Sequence, residues 1–276
     1  MRTCWIVIAG ALGCGSTHSG SGADSGSGAD SGSGTCSPGP FHGPSTAIGT
    51  ASLSDVALPQ ALAFAISSMP DGSLDEQMPL GGTPTAIAAF APTATLGWDH
   101  PALRPDGNEL FAREFNSSTI WSSTFAQGAW AAPTQVSGPF PSDALASTPA
   151  AIGTSGDLHM MIWDDTTLQE FARTAGTWSA VGPVLSPTDL IGEDSMLAAP
   201  QLTPDGLSLV FLAGNASTSV YFTHRASPDV AFPLPATAIL SPTELVYSPY
   251  LTEDCRDLYV VDDITVDGGH LGRFGP

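Results

Sequence analysis

The sequence predicts an all-β fold, a ring of about five four-stranded sheets, on three observations. A hairpin-like segment recurs at near-constant intervals, turn-forming residues are spread along the whole chain, and the amino terminus looks like an address instead of a folded element. The chain has 276 residues with 42% hydrophobic side chains, enough for a sizeable core, and 24 Pro with 30 Gly. Long helices are unfavourable at that density of Pro and Gly, whereas many short strands joined by turns are not.

The recurring segment is ten residues long: PALRPDGNEL from Pro101, PAAIGTSGDL from Pro149, PQLTPDGLSL from Pro200 and PYLTEDCRDL from Pro249. Each runs from Pro to Leu (Leu110, Leu158, Leu209, Leu258), and the starts lie 48, 51 and 49 residues apart. The centre of each is a turn signal: Asp106-Gly107, Thr154-Ser155-Gly156, Asp205-Gly206 and, more weakly, Asp254-Cys255. Pro presets φ and Gly accepts positive φ, so the chain reverses there between two apolar runs and forms a β-hairpin. Asp106, Gly107, Asp205, Gly206 and Asp254 are therefore assigned structural turn roles.

Downstream of each hairpin comes a further strand-like run with an aromatic (Ile120-Trp121, Phe171, Tyr221-Phe222), then an aromatic shortly before a Pro (Trp130, Trp178, Phe232). Four short strands per fifty residues cannot bury two faces alone. Such units stack, and radial stacking of four-stranded sheets is a β-propeller. Pro59 would open an additional unit, closed by Phe90-Ala91-Pro92, although a turn is missing where the pattern wants one. Phe41-His42-Gly43-Pro44 copies a unit's ending with no unit before it, and the last unit lacks an ending. The strand over 41–49 is therefore expected to complete the last sheet and close the ring. That count is five blades, with six as the alternative.

The Pro-x-Leu-x-Pro-Asp-Gly-x-x-Leu hairpin, with its aromatic strand and Trp-x-x-Pro ending, resembles the TolB-type, WD-repeat-like β-propeller repeat common in bacterial envelope proteins. The resemblance covers Pro101–Pro133 and Pro200–Pro235 well, Pro149–Pro183 without the Asp, and Pro249–Leu258 with Asp254 alone. It implies a fold and a role in protein or peptide interaction, and names no partner.

Residues 1–13 have the form of a lipoprotein signal peptide: Arg2, the short apolar run from Cys4 to Leu12, then Ala11-Leu12-Gly13-Cys14. The run is too short to span a bilayer. The ending resembles a bacterial lipobox, which makes Cys14 the lipid anchor, and Gly15-Ser16 after it implies sorting to the outer membrane. The alternatives are a cleaved ordinary signal or a cytoplasmic start. Residues 14–40 carry SGSGAD repeats and no large apolar side chain in the repeats, so a flexible Ser/Gly/Asp tether is expected ahead of the propeller domain at 41–276.

Twenty-seven acids against seven bases, all Arg, leave a net charge of −20. That excludes nucleic acid as a partner, since phosphate backbones are repelled and no basic stripe offsets it. Cys36 and Cys255 are the pair left for an oxidising compartment, one beside the closing strand and one in the hairpin it would complete. A Cys36–Cys255 disulfide would pin the ring, and two unpaired thiols are the alternative. No His pair has zinc spacing, so no metal site is assigned. The acids of the last unit (Glu253, Asp254, Asp257, Asp262, Asp263, Asp267) could supply calcium ligands, but solvated turn residues are the default reading. Asp99 is the nearest candidate for a glycan-cleaving acid, with Asp164 or Asp205 as its partner, and Trp98, Trp121, Trp130, Trp163 and Trp178 could line a sugar funnel or pack between sheets. The expectation is a monomeric, non-catalytic binding or scaffolding lipoprotein of the envelope, without cofactor. A carbohydrate-active propeller is the alternative.

Overall fold

The computed structural model describes residues 36–276 apart from 50–52, 54, 70, 94–96, 116–118, 142–144, 147–149, 152–156, 165, 215–217, 242–245, 266–267 and 276. The signal segment, Cys14, most of the tether and the Thr154-Ser155-Gly156 turn lie outside these residues.

The first strand, β1 (Thr46–Ala47), belongs to the last sheet. The first sheet is β2 (Asp55–Ala57), β3 (Ala65–Ser68), β4 (Leu74–Gln77) and β5 (Pro84–Ala86), in that spatial order. The second is β6 (Trp98–Leu103), β7 (Glu109–Glu114) and β8 (Thr119–Ala126), with β9 (Ala129–Trp130) folded back on β8 and β10 (Thr134–Gln135) outermost. In the third, β11 (Leu145–Ala146) and β12 (Ala150–Ala151) both pair with β13 (Leu158–Trp163), followed by β14 (Leu168–Thr174) and β15 (Thr177–Leu185). One short helix, α1 (Pro187–Ile191), leads to the fourth sheet: β16 (Met196–Leu202), β17 (Ser208–Gly214), β18 (Ser219–His224) and β19 (Thr237–Leu240). The fifth is β20 (Tyr247–Leu251), β21 (Leu258–Thr265), β22 (Gly268–Phe274) and then β1. All pairings are antiparallel, and the blade count is five.

The second strand of each sheet explains why the repeat is so apolar there. In β17, Leu209 and Phe211 pack toward the third sheet against Met161 and Trp163, while Val210 and Leu212 pack toward the fifth against Leu258 and Val260. A strand covered on both faces carries a continuous apolar run. Equivalent clusters join the first sheet to the second (Ile66, Leu74 with Leu103, Leu110), the second to the third (Ala102, Phe111 with Met160, Phe171) and the fifth to the first (Tyr259, Val261 with Leu53, Leu58). Five seams for five sheets make a closed ring.

The four repeat leucines are equivalent in three dimensions. Leu110, Leu158, Leu209 and Leu258 are each fully buried, each on a second strand, each opposite the residue seven positions earlier (Leu103, Ala151, Leu202, Leu251). Three of the intervening turns are superimposable in their bonding. Gly107 N–H donates to Arg104 O, Gly206 N–H to Thr203 O and Cys255 N–H to Thr252 O, all at 2.8 Å. The positive φ values are 75°, 70° and 59°. In each, the Asp carboxylate accepts the backbone N–H two residues on, from Asn108, Leu207 or Arg256.

The first sheet departs from the expectation. Pro59 does not open its first strand but starts the turn after it, with Leu62 N–H donating to Pro59 O at 3.0 Å. Leu62 itself takes the left-handed position, φ 51°, that Gly fills elsewhere. Asp71 and Gly72 serve the next hairpin, where Gly72 N–H bonds Met69 O and Asp71 accepts from Ser73 N–H.

Ring closure rests on the segment from Cys36 to Leu53. Thr46 stands opposite Arg273 and Ala47 opposite Gly272; Ile48 N–H then bonds Leu271 O, and Leu53 exchanges both backbone bonds with Gly269. The fifth sheet thereby gains its outer strand, which covers an edge that would otherwise template aggregation. Cys36 is joined to Cys255 by a disulfide with Cα atoms 5.5 Å apart, across 219 residues. Because β1 has only two residues, this bond should matter to stability. Cys255→Ala is expected to lower the urea-unfolding free energy by about 3–5 kcal/mol in the chain-entropy picture of long loops, and reductant should lower the wild-type midpoint while leaving the variant unchanged.

Candidate functional site at the ring axis

The innermost strand of each sheet faces the axis, and three of them carry the same irregularity. Ladder pairing slips between Asp99 and Ala102, between Ala198 and Gln201 and between Tyr247 and Tyr250. At each β-bulge the residue before the repeat's proline has a left-handed backbone: His100 (φ 45°), Ala199 (φ 44°) and Ser248 (φ 47°). Pro has no N–H to give a ladder, so a bulge is where a strand tolerates it. Since Ala199 adopts this conformation with no functional group, the bulge is architectural. Its occupants in the other sheets are what could do chemistry.

Those occupants converge. Asp55, at the matching place on β2, accepts a hydrogen bond from Ser248 Oγ and pairs through Oδ2 with His100 Nδ1 at 3.1 Å. Sheets one, two and five are thus tied by one carboxylate, and Gln201 of the fourth accepts from Leu251 N–H of the fifth at 2.8 Å beside it. The His100 ring meets Trp163 of the third edge-on at 5.5 Å. Burial disfavours the Asp55 anion, but the His100 charge and the His100 and Ser248 hydrogen bonds outweigh it and hold the carboxyl below its usual range. Burial likewise opposes charging His100, and Asp55 overcomes it, so the imidazole is raised. The cavity these residues line is about 30 Å³. That is room for a water, not for a substrate.

A serine, a histidine and an aspartate here do not make a nucleophile. The carboxylate sits between the other two: Ser248 Oγ donates a hydrogen bond to Asp55, and His100 Nδ1 faces the same carboxylate instead of the hydroxyl. Asp99 is likewise committed, bound by Arg113 through Nε at 2.8 Å and through the second guanidinium nitrogen. Asp164 caps its own loop by accepting from Thr166 and Thr167, which keeps it below its usual pKa against the opposing effect of burial. Asp205 caps its hairpin turn. The structure does not assemble these three into an acid pair.

The tryptophans pack between sheets. Trp98 meets Phe90 and Trp121 edge-on at 5.0 and 6.0 Å, and Trp178 lies in the seam with Phe111 and Phe171. The acids of the fifth sheet do not converge: Asp254 holds its turn, Asp257 binds Arg273, Glu253 accepts from Gln60 and Asp262 accepts from Ser45. Asp267 and the side chain of Asp263 are outside the described residues, and no cluster of three metal-ligating side chains occurs among the described ones.

Two inter-sheet ion pairs were not foreseen. Arg173 binds Glu109 of the preceding sheet through both nitrogens at 2.6 and 2.8 Å, and Arg225 binds Glu170 likewise at 2.7 Å each. Burial works against the Glu170 carboxylate, but hydrogen bonds from His159 and Arg225 lower its pKa. Nothing in the spacing of these residues marks them as partners. His100 and Ser248 were within reach of the sequence, because each precedes a repeat proline, whereas Asp55 is followed by Val56 and carries no such mark.

A ring of five antiparallel sheets of four or five strands, three with inner bulges and one with an outer strand borrowed from the amino-terminal side, defines a five-bladed β-propeller. No protein-family model matches the chain. No curated protein matches it in sequence. Solved structures similar to it include TolB from Acinetobacter baumannii (14% identity, TM-score 0.47, covering 80% of this chain) and a TolB candidate from Agrobacterium tumefaciens (12%, 0.48, covering 82% of this chain and 84% of that one). Another is the PQQ-bound aldose sugar dehydrogenase of Streptomyces coelicolor (12%, 0.45, covering 84% and 96%). The chain spans 54% of the Acinetobacter TolB, about half its length. The likeness is to TolB proteins and to other propellers alike, and carries no statement about activity.

The axial pair gives a pH signature. Asp55 stabilises the fold above its ordinary value of 3.8 and loses that contribution as pH falls through its lowered value. His100 stabilises it below its ordinary 6.5 and loses that contribution as pH rises through its elevated value. Both act together between about pH 4 and 6.5. The Tm difference between wild type and His100→Asn is expected to be largest in that window and to shrink at alkaline pH, as read by thermal melts across pH.

Proposed function

We propose that this chain is a non-catalytic binding lipoprotein of the bacterial envelope, held to the outer membrane by lipid on Cys14 and presenting its propeller to a protein or peptide partner. The observation that carries the reading is the closed axis. With a cavity of about 30 Å³ and a carboxylate already shared between His100 and Ser248, the centre offers a substrate neither volume nor a free group. Recognition then falls to the outer surface.

One end of the ring suits it. Phe115 follows the second strand of its sheet, whereas Met196 and Tyr247 begin first strands, so the antiparallel order puts all three at the same end. They are 61%, 58% and 39% exposed. Exposed aromatics and methionines are enriched at protein interfaces. The surplus of acids supports a partner that is not a nucleic acid. No helix among the described residues is long and apolar enough to cross a membrane, and lipid on Cys14 would supply the attachment. The same reading has the protein monomeric and free of cofactor.

The test uses the full chain isolated from membranes. Mass spectrometry should find acyl groups on Cys14, absent in Cys14→Ser. The protein should bind saturably to an envelope protein or peptide, with affinity falling at least about tenfold in the Phe115→Ser/Met196→Ser/Tyr247→Ser triple variant. Binding confined to a glycan array, or cleavage of any glycan on it, would contradict the proposal.

A further inference from the structure

The seam between the fourth and fifth sheets is built unlike the others. Its outer wall is a strap, residues 40–47, that comes from the Cys36–Cys255 disulfide, bonds β19 through Phe41 N–H to Ile239 O at 2.7 Å, and ends as β1 on β22. Beneath the strap lies a cavity of about 770 Å³. It is partly open to solvent, and its volume is that of a small-molecule cleft, roughly 300–1,000 Å³.

Pro40, Phe41, Ile239, Leu240, Val246 and Phe274 give the cavity apolar walls. Ser45, Asp262 and His270, with His42 and Ser241, add polar groups to the lining. Ser45 Oγ donates to Asp262, and Gly272 makes that meeting possible: a Cβ there would lie 2.5 Å from both Asp262 Oδ2 and Ser45 Oγ. The position is kept bare for a hydroxyl and a carboxylate. Ser45 is neutral, so it orients the carboxylate without cancelling its charge. The described arginines face other acids: Arg104 on Asp106, Arg113 on Asp99, Arg173 on Glu109, Arg225 on Glu170, Arg256 on Asp254 and Arg273 on Asp257.

We propose that this cavity binds a small organic cation, an aryl or short alkyl body in the apolar part with one ammonium or guanidinium head on Asp262. The protein's net charge of −20 concentrates such ligands near its surface. Phe115, Met196 and Tyr247 are not among the cavity's lining residues, and Asp262→Asn leaves all three in place, so amine binding is tested separately from partner binding.

The experiment is calorimetric titration of the full chain at about pH 8, where a primary amine of ordinary pKa is charged. The probes are 2-phenylethylamine and its uncharged counterpart 2-phenylethanol. The amine should bind saturably and at least about tenfold more tightly than the alcohol. Asp262→Asn should bring the amine to the alcohol's level, and Ser45→Ala should retain amine binding. Ala238→Trp, which fills the cavity from an exposed position on its wall, should abolish binding of both and serves if Asp262→Asn does not fold. Equal binding of amine and alcohol, no saturable amine binding, or amine binding unchanged in Asp262→Asn or Ala238→Trp would overturn the proposal.

Discussion

Sheet-on-sheet burial around a closed ring is the constraint from which the rest of this structure follows. A four-stranded sheet with apolar residues on both faces needs a neighbour on each side, and a linear stack leaves its first and last members half exposed. Here Val261 and Tyr259 of the fifth sheet pack on Leu53 and Leu58, beside the first, so no sheet is terminal. The outer edge of the fifth sheet is paired by a segment that precedes the first in the chain, and the two ends of the fold hold one another.

Closure also decides where charge goes. The seams need only packing in their apolar middle, but at their margins Glu109–Arg173 and Glu170–Arg225 join adjacent sheets through two-pronged contacts. Such pairs contribute register more than net stability, because desolvation offsets much of their attraction. With arginine committed to these and similar contacts, the surplus of acids is left to the surface, where it sets what the protein attracts. The axis follows the same economy: Asp55, His100 and Ser248 tie three sheets at a point where a wider ring would have an open channel.

The hairpins were legible because their physics is local. Asp and Gly at the turn of β6–β7 or β16–β17 satisfy a backbone need that any reader of the sequence can state, and Leu110 or Leu209 follows at a fixed distance. The first sheet hid itself by local exceptions: Leu62 stands in the left-handed position without being Gly, and Ala65 occupies the place of the repeat leucine. Ring closure was readable from an ending without a beginning at Phe41–Pro44. The strap cavity and the inter-sheet ion pairs were not, since they arise where residues far apart in sequence meet, as with Ser45 and Asp262, and carry no periodic mark. At the axis His100 and Ser248 were visible in the column before the repeat proline, but Asp55 and the convergence on it needed the ring itself.

The direct measurement is a cross-strand cysteine trap of the closing strand. Thr46 and Arg273 are register partners, so Thr46→Cys with Arg273→Cys should oxidise to an intramolecular disulfide found by non-reducing peptide mapping. Thr46→Cys combined with a cysteine at Gln135, on the outer strand of the second sheet, should not. A 46–135 crosslink, or no intramolecular 46–273 bond in folded protein, would contradict a ring closed by this strand.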